Sequence, residues 1–350
     1  MNLVMKKRYL LLFNCILLAI GNTGGPLLLR LYFIHGGTRI WLSSWLETGG
    51  WPIMLLPLSI SYLLHRFNNK GDENAANKFF TMTPPLFTAS VVLGLLTGFD
   101  DYLYAYGVSL LPISTASLII STHLAFTAGF ALFIVKQKFT SYSVNSVVLL
   151  TIGAIVLGLH SSGDRPIGES DKQYYLGFFM TVAAAALNGF LLPMIELMYK
   201  KSKQAITYSL VIELQIVMCI FATLFCTVGM LVNKDFKAIP REGKEYKLGE
   251  AKYYTVLVAS AIAWQLFFLG QIGVIFCATS LLSGVITAVL LPFTEILAVI
   301  FYHEKFKAEK GIALSLSFWG FISYFYGEFK ESRNKKKQTS DSEQASSSLT

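Results

Sequence analysis

The sequence contains few charged residues for its length. Of its 350 residues, 14% are charged and 54% are hydrophobic, and the mean hydropathy is +0.54. Because a soluble globular domain carries about 25% charged residues, this composition excludes an ordinary soluble protein and favours one embedded in a lipid bilayer. The net charge of +8 does not indicate nucleic-acid binding, because basic residues collect at the ends of apolar segments.

The sequence also lacks the motifs of metal, disulfide and cofactor chemistry. Its four cysteines lie in apolar segments and form no C-x-x-C pair, which argues against a disulfide framework and a zinc site. No Walker A, H-E-x-x-H, G-x-S-x-G or kinase signature is present. We therefore expect neither an enzyme nor an ATP-driven pump, and we expect no cofactor and no metal.

Long apolar segments fill most of the chain. A membrane-spanning helix needs about 20 apolar residues, and ten segments approach or exceed this length. They are 9–29, 40–64, 84–106, 113–135, 143–159, 174–198, 208–232, 253–278, 281–302 and 311–327. The first follows Lys6, Lys7 and Arg8 as a signal peptide would, but it has no clear A-x-A cleavage site. The sequence therefore predicts an all-α integral membrane protein with ten transmembrane helices, the first of them uncleaved.

The charged loops predict how these helices are oriented. The short segments 136–138 and 200–203 are basic and contain no acidic residue, as cytoplasmic loops do. With ten spans, both termini then lie in the cytoplasm. Loop 233–252 and the tail are the longest parts outside the spans. The Ser-rich tail, 331–350, is expected to be a disordered cytoplasmic segment.

One segment of the first half recurs in the second half. GVSLLPISTASL begins at Gly107 and GVIFCATSLLSG begins at Gly273, and the serines at 114 and 117 match those at 280 and 283. Chance similarity between two apolar stretches is the alternative interpretation. If the repeat is real, residues 1–165 and 166–330 each form five helices, and the odd number inverts the second copy in the membrane. Transporters built this way bind their substrate where the repeats meet.

Acidic residues inside the spans are the first candidates for function. A carboxylate near the middle of a membrane helix costs about 2.5–3.5 kcal/mol on insertion scales, so its presence needs a reason. Glu295, three residues after Pro292, is the most deeply placed, and Glu47 and Asp101 are the next candidates. We expect them to carry protons or to bind a ligand N–H group. A structural role, such as an ion pair of Glu47 with an arginine, is the alternative.

Amide, imidazole and indole groups inside the spans are candidates for substrate binding. Amides form paired hydrogen bonds with the edge of a base such as adenine, and aromatic rings stack on its face. Helix packing is the alternative role for each of these residues. The candidates are Gln265, Trp264, Asn188, His123, Trp45 and Asn22.

Four stretches of this sequence resemble the plant purine permease family of the drug/metabolite transporter superfamily. They are GNTGGPLLLRLYFIHGGTRIWLSSWLETGGWP from Gly21, DDYLYAYGVSLLPISTASL from Asp100, THLAFTAGFALFIVKQKFT from Thr122 and LLPFTEILAVIFYHEKFKAEKGIALSLSFWGFISYFYGE from Leu290. The resemblance implies ten helices in two inverted five-helix repeats and proton-coupled uptake of adenine and cytokinins. His123 departs from the family pattern, which usually has Gln there, so substrate preference does not transfer residue by residue.

The expected function is therefore a proton-coupled transporter of adenine-type purines and cytokinins at the plasma membrane. Its expected partners are a small purine or cytokinin, a proton and the lipid bilayer, with neither a nucleic acid nor an obligate protein partner. Two alternatives stay open at this stage. One is a proton-independent facilitator or exchanger of another metabolite, such as a nucleotide sugar, vitamin or alkaloid. The other is a membrane receptor without transport activity.

Overall fold

A computed structural model describes residues 3–68, 80–110, 119–120, 122–159, 171–302 and 308–347. Within these residues the secondary structure is helical, and no strand is present. The α-helices are α1 (Leu3–Ile34), α2 (Ile40–Gly49), α3 (Leu55–Asn68), α4 (Pro84–Leu110), α5 (His123–Ile134), α6 (Ser141–Leu159), α7 (Asp171–Lys201), α8 (Tyr208–Val232), α9 (Asp235–Glu245), α10 (Glu250–Cys277), α11 (Ser280–Tyr302) and α12 (Ala308–Ser347). A short 3-10 helix, Trp51–Met54, joins α2 to α3.

The helix lengths confirm an all-α membrane protein. Six helices of the described chain are long and apolar enough to cross a bilayer: Lys7–Ile34, Pro84–Gly107, Lys172–Lys201, Tyr208–Val232, Glu250–Cys277 and Ser280–Tyr302. Two shorter apolar helices are His123–Ile134 and Ser141–Gly153. Residues 111–118 and 121, which include the predicted repeat positions Ser114 and Ser117, lie outside the described residues. The described helices therefore do not by themselves give the predicted count of ten.

The second predicted span is not one continuous helix. It divides into α2, the 3-10 helix and α3, and Pro52 stands at the division. Proline lacks a backbone N–H and its ring clashes with the carbonyl four residues earlier, so it bends a helix. The preceding Gly50 allows the bend to pack closely against α10, and Gly49 leaves room for the ring of Trp45 on the same helix.

Two regions expected to lack regular structure contain helix. Loop 233–252 contains α9, which places acidic residues on its buried face. The last helix continues to Ser347, where we expected a disordered tail from residue 331. Once an apolar helix is anchored, each further residue adds a backbone hydrogen bond, and Lys, Gln, Glu and Ala favour helix. Residues 348–350 lie outside the described residues.

The helices form one bundle in which the first and last parts of the chain interleave. Helix α1 packs along α10, α4 packs between α7 and α8, and α6 packs along α12. Close approach depends on glycine, since a Cβ atom at Gly21 would lie 2.2 Å from the backbone nitrogen of Phe267. An apolar cluster of α4, α7, α8 and α10 fills the end of the bundle where α1 begins. The candidate site lies toward the other end.

Candidate functional site

A cavity of about 700 Å³ lies between α1, α2, α4, α5, α7, α10 and α11, toward the end of the bundle where α1 finishes. Its walls are mainly apolar, with a small number of polar side chains, as in many small-molecule sites. The polar and aromatic residues of the lining are Asn22, Arg30, Phe33, Thr38, Glu47, Asp100, Asp101, Tyr104, Ser109, His123, Asn188, Trp264, Phe267, Phe268, Thr287 and Thr294.

Three buried carboxyl groups form one wall of the cavity. Glu47 of α2 and Asp101 of α4 are 3% exposed, and both carboxyl groups face the cavity close to each other. Asp100 accepts a hydrogen bond from the Asn188 amide at 3.1 Å. Because like charges repel strongly at short distance in a poorly solvated site, two neighbouring carboxyl groups favour sharing one proton. The wall can therefore both carry a proton and accept N–H groups from a ligand.

His123 and Trp264 supply polar atoms elsewhere in the cavity. The Nδ1 atom of His123 lies 3.1 Å from the carbonyl oxygen of Ile120. A carbonyl oxygen only accepts hydrogen bonds, so Nδ1 donates and Nε2 of the neutral ring is an acceptor. The Trp264 indole N–H is a donor, and its ring packs edge-on against Phe267 with centroids 5.4 Å apart. A heterocycle with N–H groups and ring nitrogens complements this mixture of acceptors and a donor.

Several of these buried polar atoms have no hydrogen-bond partner among the described residues. They are Glu47 Oε1, Asp100 Oδ1, Asp101 Oδ2, His123 Nε2 and Trp264 Nε1. Buried polar groups in proteins are nearly always hydrogen-bonded, because an unsatisfied group costs about 1–3 kcal/mol. All five atoms belong to residues that line the same cavity, so a bound polar ligand could satisfy them together.

The position of Trp264 depends on a glycine of the first helix. A Cβ atom added at Gly25 would lie 2.9 Å from the indole Cε2 atom, closer than real Cβ contacts allow. Asn22 and Pro26, on the same helix, also line the cavity. The Gly24-Gly25-Pro26 sequence of α1 therefore gives the indole room to lie against the helix.

Two of the predicted binding residues, Gln265 and Trp45, do not line this cavity. Gln265 is fully buried, and its amide donates to the carbonyl oxygen of Thr48 at 3.0 Å. Trp45 donates its indole N–H to the Thr227 hydroxyl at 3.0 Å, between α2 and α8. Neighbouring residues of a helix point about 100° apart, so the helix that turns Trp264 toward the cavity turns Gln265 away from it.

Glu295 lies on α11, and its side chain lies outside the described residues. Leu291 and Ala298, four positions before it and three after it, line the cavity. Position 295 is therefore on the cavity face of the helix backbone, since residues spaced by three and four share one face.

An ion pair with Arg30 or Arg39 was the alternative role for Glu47, and the described residues show no ion pair between Glu47 and Arg39. Arg39 instead pairs with Asp235 and Glu242, at 3.5 and 3.6 Å. Arg30, the other arginine considered, lines the cavity and lies over the Tyr302 ring at 5.5 Å.

Four further residues line the cavity that the sequence did not single out as candidates: Asp100, Tyr104, Phe267 and Phe268. The sequence-based selection included Asp101 and not its neighbour Asp100. In the structure both aspartates reach the cavity, because Asp100 is directed toward α7 and Asp101 toward α2. The adjacent acidic pair was the available signal, whereas aromatic residues are too frequent in this sequence to single out two.

A family model described as purine nucleobase transmembrane transport matches residues 9–334. The chain belongs to the plant purine permease family. It is 54% identical to purine permease 3 of Arabidopsis thaliana, over 96% of this chain and 97% of the relative, and 53% identical to purine permease 2 of the same plant, over 95% of each. It is also 37% identical to the probable purine permease 5, over 95% of this chain and 89% of the relative.

One solved crystal structure has a similar fold. It aligns with a TM-score of 0.57 at 14% sequence identity and covers 90% of this chain and 97% of that chain. At this identity the likeness concerns the fold alone. Family membership confirms that the chain is a multi-pass membrane transporter of the purine permease type, a permease rather than an enzyme.

Proposed function

We propose that this permease carries adenine-type purines and cytokinins into the cell together with protons, by alternating access of one central site. The observation that carries the proposal is the pair of buried carboxyl groups, Glu47 and Asp101, that lie close together in the wall of the cavity. A buried pair that shares a proton, beside a space large enough for a heterocycle, can link proton binding to substrate binding. Family membership supports the purine part of this proposal.

The lining supports binding of a flat base with an apolar substituent. We propose that Trp264 stacks on the ring, an interaction worth about 1–3 kcal/mol per base. Asn188, Asn22 and His123 then contact its polar edge, and the acidic wall accepts its N–H groups. The apolar side chain of a cytokinin would lie against residues such as Leu27, Phe33, Phe268 and Leu291.

The proton-coupling residues in this proposal are Glu47, Asp101 and Glu295. Two carboxyl groups in contact do not both ionise, because like charges at this distance repel strongly in a poorly solvated site. A proton taken up by the pair therefore changes the charge that the substrate meets. Glu295 comes from the other half of the chain, on the cavity face of α11, so it could couple the two halves.

We further propose ten spans in two inverted five-helix repeats, 1–165 and 166–330. Contacts of the two matched glycines support this. A Cβ atom at Gly107 of α4 would meet Thr181 of α7, and one at Gly273 of α10 would meet Asn14 of α1. The glycines are 166 positions apart, and their partners are 167 positions apart. Equivalent helices thus make equivalent contacts in the two halves, as two related repeats would.

With both termini in the cytoplasm of a plasma-membrane protein, the cavity faces outward. It is lined by the end of α1 near Phe33 and Ile34. The opposite end is held closed by polar contacts between helices. Tyr208 donates to Asn14 at 2.9 Å, and the backbone N–H of Ser280 donates to Glu196 at 2.7 Å. Opening toward the cytoplasm would require these contacts to separate.

Uptake into proteoliposomes tests this function. Purified protein is reconstituted, and accumulation of radiolabelled adenine and trans-zeatin is measured with and without an inward proton gradient. We expect accumulation above equilibrium only with the gradient, and competition between the two compounds. Uptake that ignores the gradient and is not inhibited by adenine indicates a facilitator or exchanger of another metabolite. Binding without uptake indicates a receptor.

The variant Glu295→Gln tests whether the second half of the chain contributes to proton coupling. We expect the variant to reach the membrane but to lose gradient-driven accumulation, because the amide cannot exchange a proton. Cell-surface labelling and uptake are measured in parallel. Accumulation at the wild-type level would remove Glu295 from the coupling group while leaving Glu47 and Asp101 to be tested separately.

A further inference from the structure

We infer that Gln265 is a positioning residue for the carboxyl pair: its side-chain amide supplies the hydrogen bond that Pro52 removes from the second span, next to Glu47. This inference rests on the proposed proton coupling, because it assigns Gln265 an effect on the pair and none on the substrate directly. It also gives a role to a buried polar residue that does not line the cavity.

The missing hydrogen bond is at the carbonyl of Thr48. In a continuous helix this carbonyl would accept from the backbone N–H of residue 52, which is proline and has no N–H. The backbone N–H of Gly50, only two residues after Thr48, also approaches this carbonyl. A turn of two residues is too tight for a well-aligned hydrogen bond. An unsatisfied carbonyl within a bilayer costs several kcal/mol, so the bend needs a donor from elsewhere.

Gln265 of α10 is that donor. Its Nε2 atom lies 3.0 Å from the Thr48 carbonyl oxygen, and the side chain is completely buried. Gln215 of α8 fixes the amide by donating to its Oε1 atom at 3.0 Å and to its backbone oxygen at 3.2 Å. With Oε1 engaged as the acceptor, the Nε2 group is directed at Thr48.

This contact holds the part of α2 that carries Glu47. Glu47 immediately precedes Thr48, and the next turn packs tightly on α10, since a Cβ atom at Gly50 would lie 2.5 Å from the Ala261 carbonyl oxygen. The Ser44 hydroxyl, one turn earlier, donates to the backbone oxygen of Asp101 at 3.3 Å. The end of α2 is thus attached to α10 by Gln265 and to α4 by Ser44. Glu47 lies between these attachments, against Asp101.

Few titratable groups surround Glu47, so its protonation depends on a small number of neighbours. Asp100, Asp101 and Tyr104 face it from α4, and Cys226 faces it from α8. Cys219 of α8 lies near Asp101 and accepts weakly from Gln265 at 3.8 Å. Arg30 of α1 and His123 of α5 line the same cavity. The groups that face the pair from α4 and α8 are not basic, so we expect the distance between the two carboxyl groups to influence how tightly the pair holds a proton.

The test replaces the donor and then restores it from the backbone. Gln265→Met keeps the length of the side chain and removes its hydrogen bond. Pro52→Ala in the same protein returns a backbone N–H four residues after Thr48. Gln271→Met is the matched control, because Gln271 is a buried glutamine of the same helix that does not line the cavity. Each variant is reconstituted, and adenine uptake is measured across external pH.

We expect Gln265→Met to lower the pH midpoint of uptake by about one unit and to reduce the maximal rate. A proton shared by two carboxyl groups is held less tightly once they separate. The KM for adenine should change less than about twofold, since Gln265 does not line the cavity. Pro52→Ala/Gln265→Met should return the midpoint toward that of the wild type, and Gln271→Met should leave it unchanged.

The outcomes separate this inference from the proposed function. If wild-type uptake ignores the proton gradient, the proposed function fails. If the wild type is coupled but Gln265→Met keeps its midpoint, or the double variant does not recover it, the inference is overturned. If Gln265→Met does not reach the membrane, the double variant decides. If the double variant reaches the membrane and has the wild-type pH midpoint, the inference is supported. If the double variant is also absent from the membrane, the inference is rejected.

Discussion

Two acidic groups of this permease differ sharply in their hydrogen-bond partners. The cavity group consists of Glu47, Asp100 and Asp101, and the rim group consists of Asp235 and Glu242 on α9. Both groups are buried. In the cavity group each carboxyl has one oxygen without a hydrogen-bond partner among the described residues. In the rim group, basic and hydroxyl side chains surround Glu242, whereas Asp235 contacts Arg39 and Asn233 through Oδ1 and its Oδ2 has no partner among the described residues.

Glu242 is the carboxylate of the rim group whose partners are complete. It accepts from the hydroxyl groups of Tyr32 at 2.5 Å, Tyr253 at 3.1 Å and Thr38 at 3.1 Å. Arg39 pairs with it at 3.6 Å. These contacts join α9 to α1, α10 and the segment between α1 and α2, one residue of which, Thr38, also lines the cavity.

Asp235 adds to the rim group at the start of α9. It receives hydrogen bonds from Asn233 at 2.9 Å and from Arg39 at 3.5 Å. Burial raises the pKa of Asp235, while Arg39 and Asn233 act in the opposite direction. A carboxylate that has lost water but gained a cation and donors in this way is typical of a structural contact.

The comparison separates acidic residues that hold the fold from those available for chemistry. A buried carboxylate with a full set of partners is costly to disturb, because removing one partner leaves the others buried and unpaired. A buried carboxylate without partners destabilises the empty protein, and such residues mark functional sites in membrane proteins. We therefore expect substitutions in the two groups to have opposite effects on transport and on stability.

Asp101→Asn should have the largest effect on transport. The amide cannot share a proton with Glu47, so gradient-driven adenine accumulation should fall to the level seen without a gradient. The thermal unfolding temperature in detergent should not fall, because the substitution removes a buried carboxyl group that destabilises the protein. Asp235→Asn is the matched control and should keep coupled uptake. Coupled accumulation by Asp101→Asn would contradict the role of the carboxyl pair.

Glu242→Gln should have the reverse effect. It removes a charge that Arg39, Thr38 and two tyrosines contact, and we expect a loss of about 2 kcal/mol of stability, measured by denaturant or thermal unfolding. Uptake per folded molecule should keep its dependence on the proton gradient. Glu245→Gln, at an exposed position of the same helix, should change neither property. If Glu242→Gln loses coupling at unchanged stability, the rim group is functional and the comparison is wrong.

Trp264→Phe probes the donor that accompanies the cavity group. The change removes the indole N–H and part of the stacking surface, so we expect the KM for adenine to rise about tenfold, which corresponds to about 1.4 kcal/mol. The dependence on the proton gradient should remain. Trp319→Phe, at a side chain that is 63% exposed, should leave the KM unchanged. An unaltered KM for Trp264→Phe would mean that the base does not contact this side of the cavity.

His123→Gln should have the smallest effect, on selectivity rather than on rate. Glutamine can donate as well as accept, whereas His123 offers an acceptor at Nε2. We expect the relative inhibition by trans-zeatin and adenine to change about threefold, or by about 0.7 kcal/mol, in competition assays. His35→Gln is the control, because its ring also contacts a backbone carbonyl, at 3.0 Å, but it does not line the cavity. An equal change in both variants would exclude a specific role for His123.

The sequence predicted the positions of the helices more accurately than the contacts between them. The predicted span 208–232 coincides with α8, and 281–302 differs from α11 by one residue at its start. Apolar length is a local property that the bilayer imposes on each helix. The bend at Pro52 and the helix α9 were missed, because the first depends on a donor from α10 and the second on partners from α1 and α10.

The candidate site was only partly predictable for the same reason. His123, Asn188, Trp264, Asn22, Glu47 and Asp101 were selected as polar or aromatic residues within apolar helices, and all of them line one cavity. Gln265 and Trp45 were selected by the same criterion and do not line it. Residue type and depth are readable from the sequence, but the direction of a side chain around its helix depends on which helices surround it.

The sequence by itself determined that this chain enters a membrane, where its helices run and which family it belongs to. These follow from apolar length and from motifs, which are local. Only the tertiary structure decided which buried acids lie against each other, as Glu47 and Asp101 do, and which, like Glu242, are paired with a cation and several hydroxyl groups. Glu47 and Asp101 are separated by more than fifty residues, and Glu242 lies about two hundred residues from Thr38 and Arg39. The partners of a buried charge, which determine its energy, are brought together only by packing of the whole bundle.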